Sequence, residues 1–254
     1  MAAEVLYEQH GRSVVVTLNR PERRNALSIE MCRQLRHAYA RFSADPELKV
    51  LILTGAGGKA FCAGYDIGEK TSGQIATEAD FVPRLATQVF VDKPVIAAVN
   101  GVALAAGMAL VESCDLVVAG NTASFSLPEV KLGIGVVPFV QSLWTLPQHL
   151  LMELLLTGEP LTAERAYQIG FVNRVVPREE LLPTALALAE VIASNAPLVV
   201  KAAKAMIYRG IEAMGNPDAL KAAADLFEVV NRSDDAKEGF RARAERRAPV
   251  WKGR

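Results

Sequence analysis

The sequence predicts an α/β fold with largely buried strands, followed by a helical C-terminal subdomain. Three observations carry this. Short runs of β-branched and aliphatic residues, such as Val14-Val15-Val16 and Val95-Ile96-Ala97-Ala98-Val99, are apolar on both faces. Strand and helix patterns alternate up to Val176. After Val176 only helical patterns remain.

In chain order, residues 5–9 and 13–18 read as a hairpin around His10-Gly11-Arg12. Ser28 is placed to cap a helix reaching about Phe42, with Met31, Leu35, Ala38 and Phe42 on one face. Residues 50–53 read as a buried strand ended by Gly55-Ala56-Gly57-Gly58. Residues 71–77 read as a polar loop, and a helix is expected over residues 79–90. Residues 95–99 form another buried strand. A helix of small residues starts near Ala105, and short strands are expected at 116–119 and 124–126. The tail divides into helical segments 179–194, 197–209, 217–231 and 234–247, with Pro197 suited to a first turn. Residues 1–195 are expected to form the α/β core and residues 196–254 the helical subdomain, which serves as an oligomer interface.

Composition narrows the function classes. The chain has 254 residues, 51% hydrophobic, enough for a substantial core. It has 28 basic and 28 acidic residues, so no global field points to nucleic acid or an anionic membrane. Cys32, Cys62 and Cys114 are odd in number and form no Cys-x-x-Cys motif, which fits a reducing compartment. The first residues carry no signal-peptide pattern, and the longest apolar stretch is interrupted by Asn100, Gly101 and Gly107. A cytoplasmic protein without a membrane span is expected.

Thr54-Gly55-Ala56-Gly57-Gly58-Lys59-Ala60 fits a loose dinucleotide fingerprint, but no helical periodicity follows it, so it reads as a turn. His10, His37 and His149 lie in no motif, which leaves Cys62 without a base and leaves no metal-ligand spacing. In Cys62-Ala63-Gly64-Tyr65-Asp66-Ile67, small residues flank Gly64 and let the backbone approach a ligand. The run from Val99-Asn100-Gly101 to Gly107 opens a helix whose first amides lack internal partners; tight helix–sheet packing accounts for its small residues equally well. Leu127-Pro128-Glu129-Val130 sets one acid in an apolar loop, a setting that raises a carboxyl pKa and suits proton transfer.

Taken together, these segments resemble the enoyl-CoA hydratase/isomerase (crotonase) superfamily over almost the whole chain. Asn19-Arg20-Pro21 through Asn25-Ala26-Leu27 resembles its coenzyme A-binding start, and Ser233-Asp234-Asp235 through Phe240 its terminal helix. The resemblance implies a crotonase-like ββα spiral core and a homotrimer or dimer of trimers. It implies backbone amides of Tyr65 and Ala106 as an oxyanion hole for a thioester enolate, and Glu129 as the catalytic acid/base. Contacts to coenzyme A are implied for Arg24, Ala26, Leu27, Ala63, Tyr65, Asp66, Ile67 and Ala106, with Phe240 and Lys252 from the tail. The tail has seven Lys or Arg against two Glu from Lys237 onward; it reads equally as a solvated face or as reaching a neighbouring subunit's coenzyme A. No tightly bound cofactor is implied, since coenzyme A arrives as part of the substrate.

The departures bear on the chemistry. Hydratases of the superfamily carry a second glutamate where this chain has Ala109. Hydration is easiest to assemble with two carboxylates, whereas a Δ3,Δ2 double-bond shift needs one. The resemblance therefore points first to an enoyl-CoA isomerase, and next to a hydratase or hydratase-like lyase. A weakly catalytic coenzyme A-binding scaffold is the reading from another class. Glu112 lies one helical turn after Ala109, but its flanks, Val111 and Ser113-Cys114, suggest another facing. Val137 stands where some branches have an acid, which argues against dienoyl isomerase and dehalogenase subtypes. Ala105-Ala106 replaces a usual Gly-Gly, so Ala is strained if either position needs positive φ. Tyr65 replaces a smaller residue and is expected to narrow the acyl pocket or add a hydroxyl.

Overall fold

The computed structural model describes residues 3–66, 68, 82–85, 89–132, 142–212 and 232–254. A six-stranded sheet runs in the order β1 (Val5–His10), β2 (Ser13–Leu18), β3 (Val50–Gly55), β5 (Val95–Val99), β7 (Leu116–Gly120), β10 (Arg174–Val176). β1 and β2 form the expected antiparallel hairpin, and the remaining neighbours are parallel. A smaller sheet has the order β4 (Ala60–Cys62), β6 (Val102–Leu104), β8 (Ser124–Ser126), β9 (Leu161–Thr162). Each strand pair β3/β4, β5/β6 and β7/β8 sends its first member to the large sheet and its second to the small one. That repeated turn is the spiral.

Period-two alternation sorts side chains to the two faces of the large sheet. Val14, Val16, Leu51, Leu53, Val95, Ala97, Val99 and Val117 enter the main core. Val15, Val50, Ile52, Ile96, Ala98 and Val118 face the other way. Both faces are covered, which is why these runs are apolar throughout.

On the first face lies α1 (Ile29–Ala44), capped by Ser28, whose Oγ accepts from the Met31 amide at 2.9 Å. It buries Met31, Cys32, Leu35, Ala38, Tyr39 and Phe42. Next in chain order come α2 (Ala106–Glu112), α3 (Ser142–Thr145), α4 (Gln148–Thr157) and α5 (Ala163–Gln168). On the second face, α6 (Leu181–Ala193) packs Leu181, Ala185, Ala189 and Ala193 against the sheet. The alanines repeat every four residues, so the helix can lie close to the strands. α7 (Pro197–Glu212) is tied down where the Lys204 ammonium meets Asp115 at 2.7 Å and the Tyr208 hydroxyl donates to the same carboxylate at 3.0 Å. α8 (Asp234–Glu245) closes the described chain. Among the described residues no single helix is long and apolar enough to cross a membrane.

Three expectations change. Residues 82–85 and 89–90 are not helical; Leu85 and Val89 form an isolated β-bridge. Pro83 supplies no amide and disfavours helical geometry at Val82. Residues 60–62 and 102–104, where no strand is expected, are strands of the small sheet. Each is only three residues long, too short for a periodic signal. Helices α4 and α5, strands β9 and β10, and the short α3 had no separate expectation. The expected loop 71–77 and helix 217–231, with Ile67 and Val137, lie outside the described residues.

Candidate active site

Three parallel strands of the small sheet end side by side. Cys62 of β4 pairs with Ala103 of β6, and Leu104 pairs with Ser126 of β8. Just past these ends come Tyr65, Ala106 and Glu129. The sheet therefore delivers three sequence-predicted groups to one edge, at the carboxyl ends of its strands.

Tyr65 is fixed by a parallel bridge to Leu27. The Leu27 amide donates to the Gly64 carbonyl at 2.8 Å, and the Asp66 amide donates to the Leu27 carbonyl at 2.9 Å. In a parallel bridge the flanking residues make these bonds, so the N–H of Tyr65 itself points to the opposite side. Gly64 has φ +90, and a methyl group there would stand 3.2 Å from the Leu104 carbonyl and 3.8 Å from the Ala106 nitrogen. The Tyr65 loop thus lies directly against the start of α2.

Ala106 is the first residue of α2, so no carbonyl one turn earlier in the helix takes its amide. Ala105, its cap, has φ 51 and ψ −118, the strained geometry foreseen for Ala in place of Gly. The Ala105 amide donates to the Ser126 carbonyl at 2.9 Å, locking this corner to β8. Gly107 is required by packing: a methyl there would meet the Cys62 carbonyl at 2.2 Å.

Glu129 lies in a 3-10 turn, Pro128–Leu132, and is buried at 7% exposure. It is not the solvated surface group that a lone Glu usually is.

The loop preceding α1 carries Arg24 and Asn25 in left-handed geometry. Asn25 is fully buried; its side-chain amide donates to the carbonyls of Ala56 and Ala60 at 2.9 Å each, and its Oδ1 accepts from the Arg20 amide. The Arg20 guanidinium donates to the Ala26 carbonyl at 2.8 Å and pairs with Asp66 at 3.1 Å. The Ala63 amide donates to the Arg24 carbonyl at 3.1 Å. Arg24, Ala26, Leu27, Ala63, Tyr65 and Asp66 therefore form one braced assembly. Arg20 and Asn25 belong to the Asn19–Leu27 motif, but bracing by side chains leaves no periodic trace in the sequence.

The tail residues lie elsewhere. The Lys252 amide donates to buried Asp235, and the Trp251 indole donates to the Ser194 carbonyl at the end of α6. No described contact within this chain joins Lys252 to the Arg24–Leu27 loop. Phe240 is in α8.

Further polar groups lie on these elements and on the segments that pack against them. The Tyr65 hydroxyl accepts from the Val82 amide, so the hydroxyl foreseen at this position anchors the neighbouring segment. Glu112 is buried at 5% exposure, with the Ser142 hydroxyl 2.7 and 2.8 Å from its two oxygens. Burial pushes its pKa up to about 7, moderated by the Ser142 hydrogen bond and the nearby Arg84 cation. Arg84 also lies within electrostatic reach of the Tyr65 phenol. Burial pushes the Cys62 thiol up to about 12, so it stays protonated at neutral pH.

Residues 9–254 match the family model described as Enoyl-CoA hydratase/isomerase. The chain belongs to the enoyl-CoA hydratase/isomerase family. Among its relatives, a carnitinyl-CoA dehydratase from Citrobacter koseri is 40% identical, with 100% of both chains covered. An enoyl-CoA hydratase from Mycobacterium tuberculosis is 39% identical, covering 99% of this chain and 97% of the relative. The crystal structure of an enoyl-CoA hydratase from Mycobacterium tuberculosis H37Rv superimposes with a TM-score of 0.90 at 38% identity, covering 99% of each chain. That of an enoyl-CoA hydratase from Bacillus anthracis gives 0.88 at 31%, covering 99% of this chain and 100% of that one. As a member of this family the chain is an acyl-CoA enzyme with the crotonase fold.

Proposed function

We propose that this enzyme moves the double bond of a 3-enoyl-CoA to the 2-position, with Glu129 as the acid/base. The Glu129 carboxylate takes a proton from C2. The electrons spread into a dienolate whose thioester oxygen is held by the amides of Tyr65 and Ala106. Glu129 returns the proton to C4, leaving the double bond between C2 and C3. Two fixed amide donors suit this task because they strengthen as the oxyanion forms; losing one typically costs ~3 kcal/mol of barrier. The observation that carries the reading is the delivery of Tyr65, Ala106 and buried Glu129 by three adjacent strand ends. Ala109, itself buried, has only a methyl group where the superfamily's hydratases carry a glutamate, which favours one-carboxylate chemistry.

A second reading, hydration or its reverse, is favoured by the names of the relatives and by buried Glu112. Under either reading coenzyme A enters as part of the substrate, against the backbone of Arg24, Ala26, Leu27, Ala63, Asp66 and Ile67. The same proposal includes helical oligomerisation through residues 196–254 as a trimer or dimer of trimers, with Phe240 and Lys252 facing a neighbouring subunit's coenzyme A. A paired assay tests the reaction. Conversion of a 3-enoyl-CoA to the 2-enoyl compound without a gain of water supports isomerisation. A gain of water by the 2-enoyl compound, with no isomerisation, replaces it with hydration.

A further inference from the structure

We propose that Glu112 is a second carboxylate of this active site, displaced by one helical turn, and that it gives the enzyme a hydratase activity alongside the double-bond shift. The inference rests on the site formed by Tyr65, Ala106 and Glu129.

Ala109 and Glu112 are three residues apart on α2, so they share a helix face. Side chains on an α-helix lean toward its N-terminus. From Glu112 that is the direction of the turn that holds Ala109 and, beyond it, Ala106. Residue 109 itself carries only a methyl group, which cannot transfer a proton. The flanks Val111 and Ser113-Cys114 suggest another facing; the face shared with Ala109 is the argument for this one.

The surroundings of Glu112 also differ from those of a structural core residue. An apolar side chain of similar volume would be cheaper to bury than a carboxyl group. A single hydroxyl, Ser142 Oγ, sits across both oxygens and can donate only one proton to them. The charged group that faces Glu112 among the described residues is Arg84, from the segment that also carries the anchor of the Tyr65 hydroxyl.

The chemistry balances with two carboxyl groups. Ionised Glu112 takes a proton from water as the water oxygen bonds to C3. The C2–C3 π electrons move onto the thioester oxygen, held by the two amides. Protonated Glu129 gives its proton to C2, and the enolate collapses to the 3-hydroxyacyl thioester. Proton exchange between the two carboxyls then restores the starting state. A base with a pKa near 7 is well matched to this step, so hydration should climb as pH rises through about 7.

The test follows both reactions in the wild type, Glu112→Gln and the double variant Ala109→Glu/Glu112→Gln, using a 3-enoyl-CoA and a 2-enoyl-CoA of one chain length. The wild type is expected to hydrate, with the rate rising through pH 7. In Glu112→Gln the ratio of hydration to isomerisation should fall about 100-fold or more, and the double variant should recover it. A wild type that adds no water overturns the proposal, as does Glu112→Gln hydrating at the wild-type rate. A parallel fall of both activities in Glu112→Gln also overturns it and marks Glu112 as a structural anchor for α3. A wild type that hydrates but does not isomerise sinks the one-carboxylate reading and leaves the role of Glu112 standing.

Discussion

Leu27 and Tyr65 are partners in an isolated parallel β-bridge, with Leu27 bonded to the residues on either side of Tyr65. That bridge couples the loop expected to hold coenzyme A to the amide expected to hold the thioester oxygen. Arg20 reinforces it by bonding to Ala26 on one side and Asp66 on the other. In the proposed mechanism, binding and chemistry therefore share one piece of backbone.

Gly64→Ala is expected to lower stability by about 1–3 kcal/mol, the usual range for a non-glycine residue in so strained a conformation, and to lower turnover at least tenfold. The backbone sits at φ +90, and the added methyl would press on the Leu104 carbonyl and the Ala105 side chain. Thermal denaturation together with steady-state kinetics checks both effects.

Ala105→Gly should act in the opposite direction on stability. Relief of the positive φ at Ala105 is worth about 1 kcal/mol after the entropy cost of glycine. That corresponds to a rise in melting temperature of about 2–4 °C for a chain of this size. An unchanged or lower melting temperature would show that the backbone here is not strained.

Asp235→Ala should loosen the end of the chain. The buried carboxylate accepts from the amides of Lys252 and Gly253 at 2.6 and 2.8 Å. Losing both is expected to cost about 2 kcal/mol or more. Limited proteolysis should then cut the last residues faster than in the wild type.

Glu112 makes stability depend on pH. Its carboxyl is held at about 7 in the fold, chiefly by burial, against an ordinary value of 4.5. Between those two values the folded chain keeps a proton that the unfolded chain has released. Stability therefore falls as pH rises through this window, by an amount on the order of 3 kcal/mol. Glu112→Gln should remove that slope, so its stability relative to the wild type should increase from pH 4.5 to pH 7. Denaturant unfolding at several pH values measures it.

Much of the scaffold was legible in the sequence because it depends on periodicity. The runs around Val15, Ile52 and Ile96 are apolar at every position since α1 and α6 cover both faces of the sheet. Ser28 reads as a cap because its hydroxyl can take the Met31 amide. The site was legible through short motifs whose glycines and alanines allow close approach, as Gly64 and Gly107 do. What escaped was set by contacts distant in sequence. Cys62 pairs with Ala103, and Leu104 with Ser126, in strands too short to carry a pattern. Ser142 meets Glu112 across 30 positions, and Arg20 meets Asp66 across 46. No local signal encodes such a pairing. The expected helix over residues 79–90 fails at its described positions, where Pro83 supplies no amide and disfavours helical geometry at Val82.

In the proposed reaction Glu129 carries the proton. The most direct measurement is the rate at which purified wild type and Glu129→Gln convert a 3-enoyl-CoA to the 2-enoyl-CoA, with both proteins shown to be folded by thermal denaturation. The expected result is a loss of about 10²–10⁴-fold in the variant, the usual contribution of a positioned acid/base. A folded Glu129→Gln protein that turns over at the wild-type rate would contradict the account.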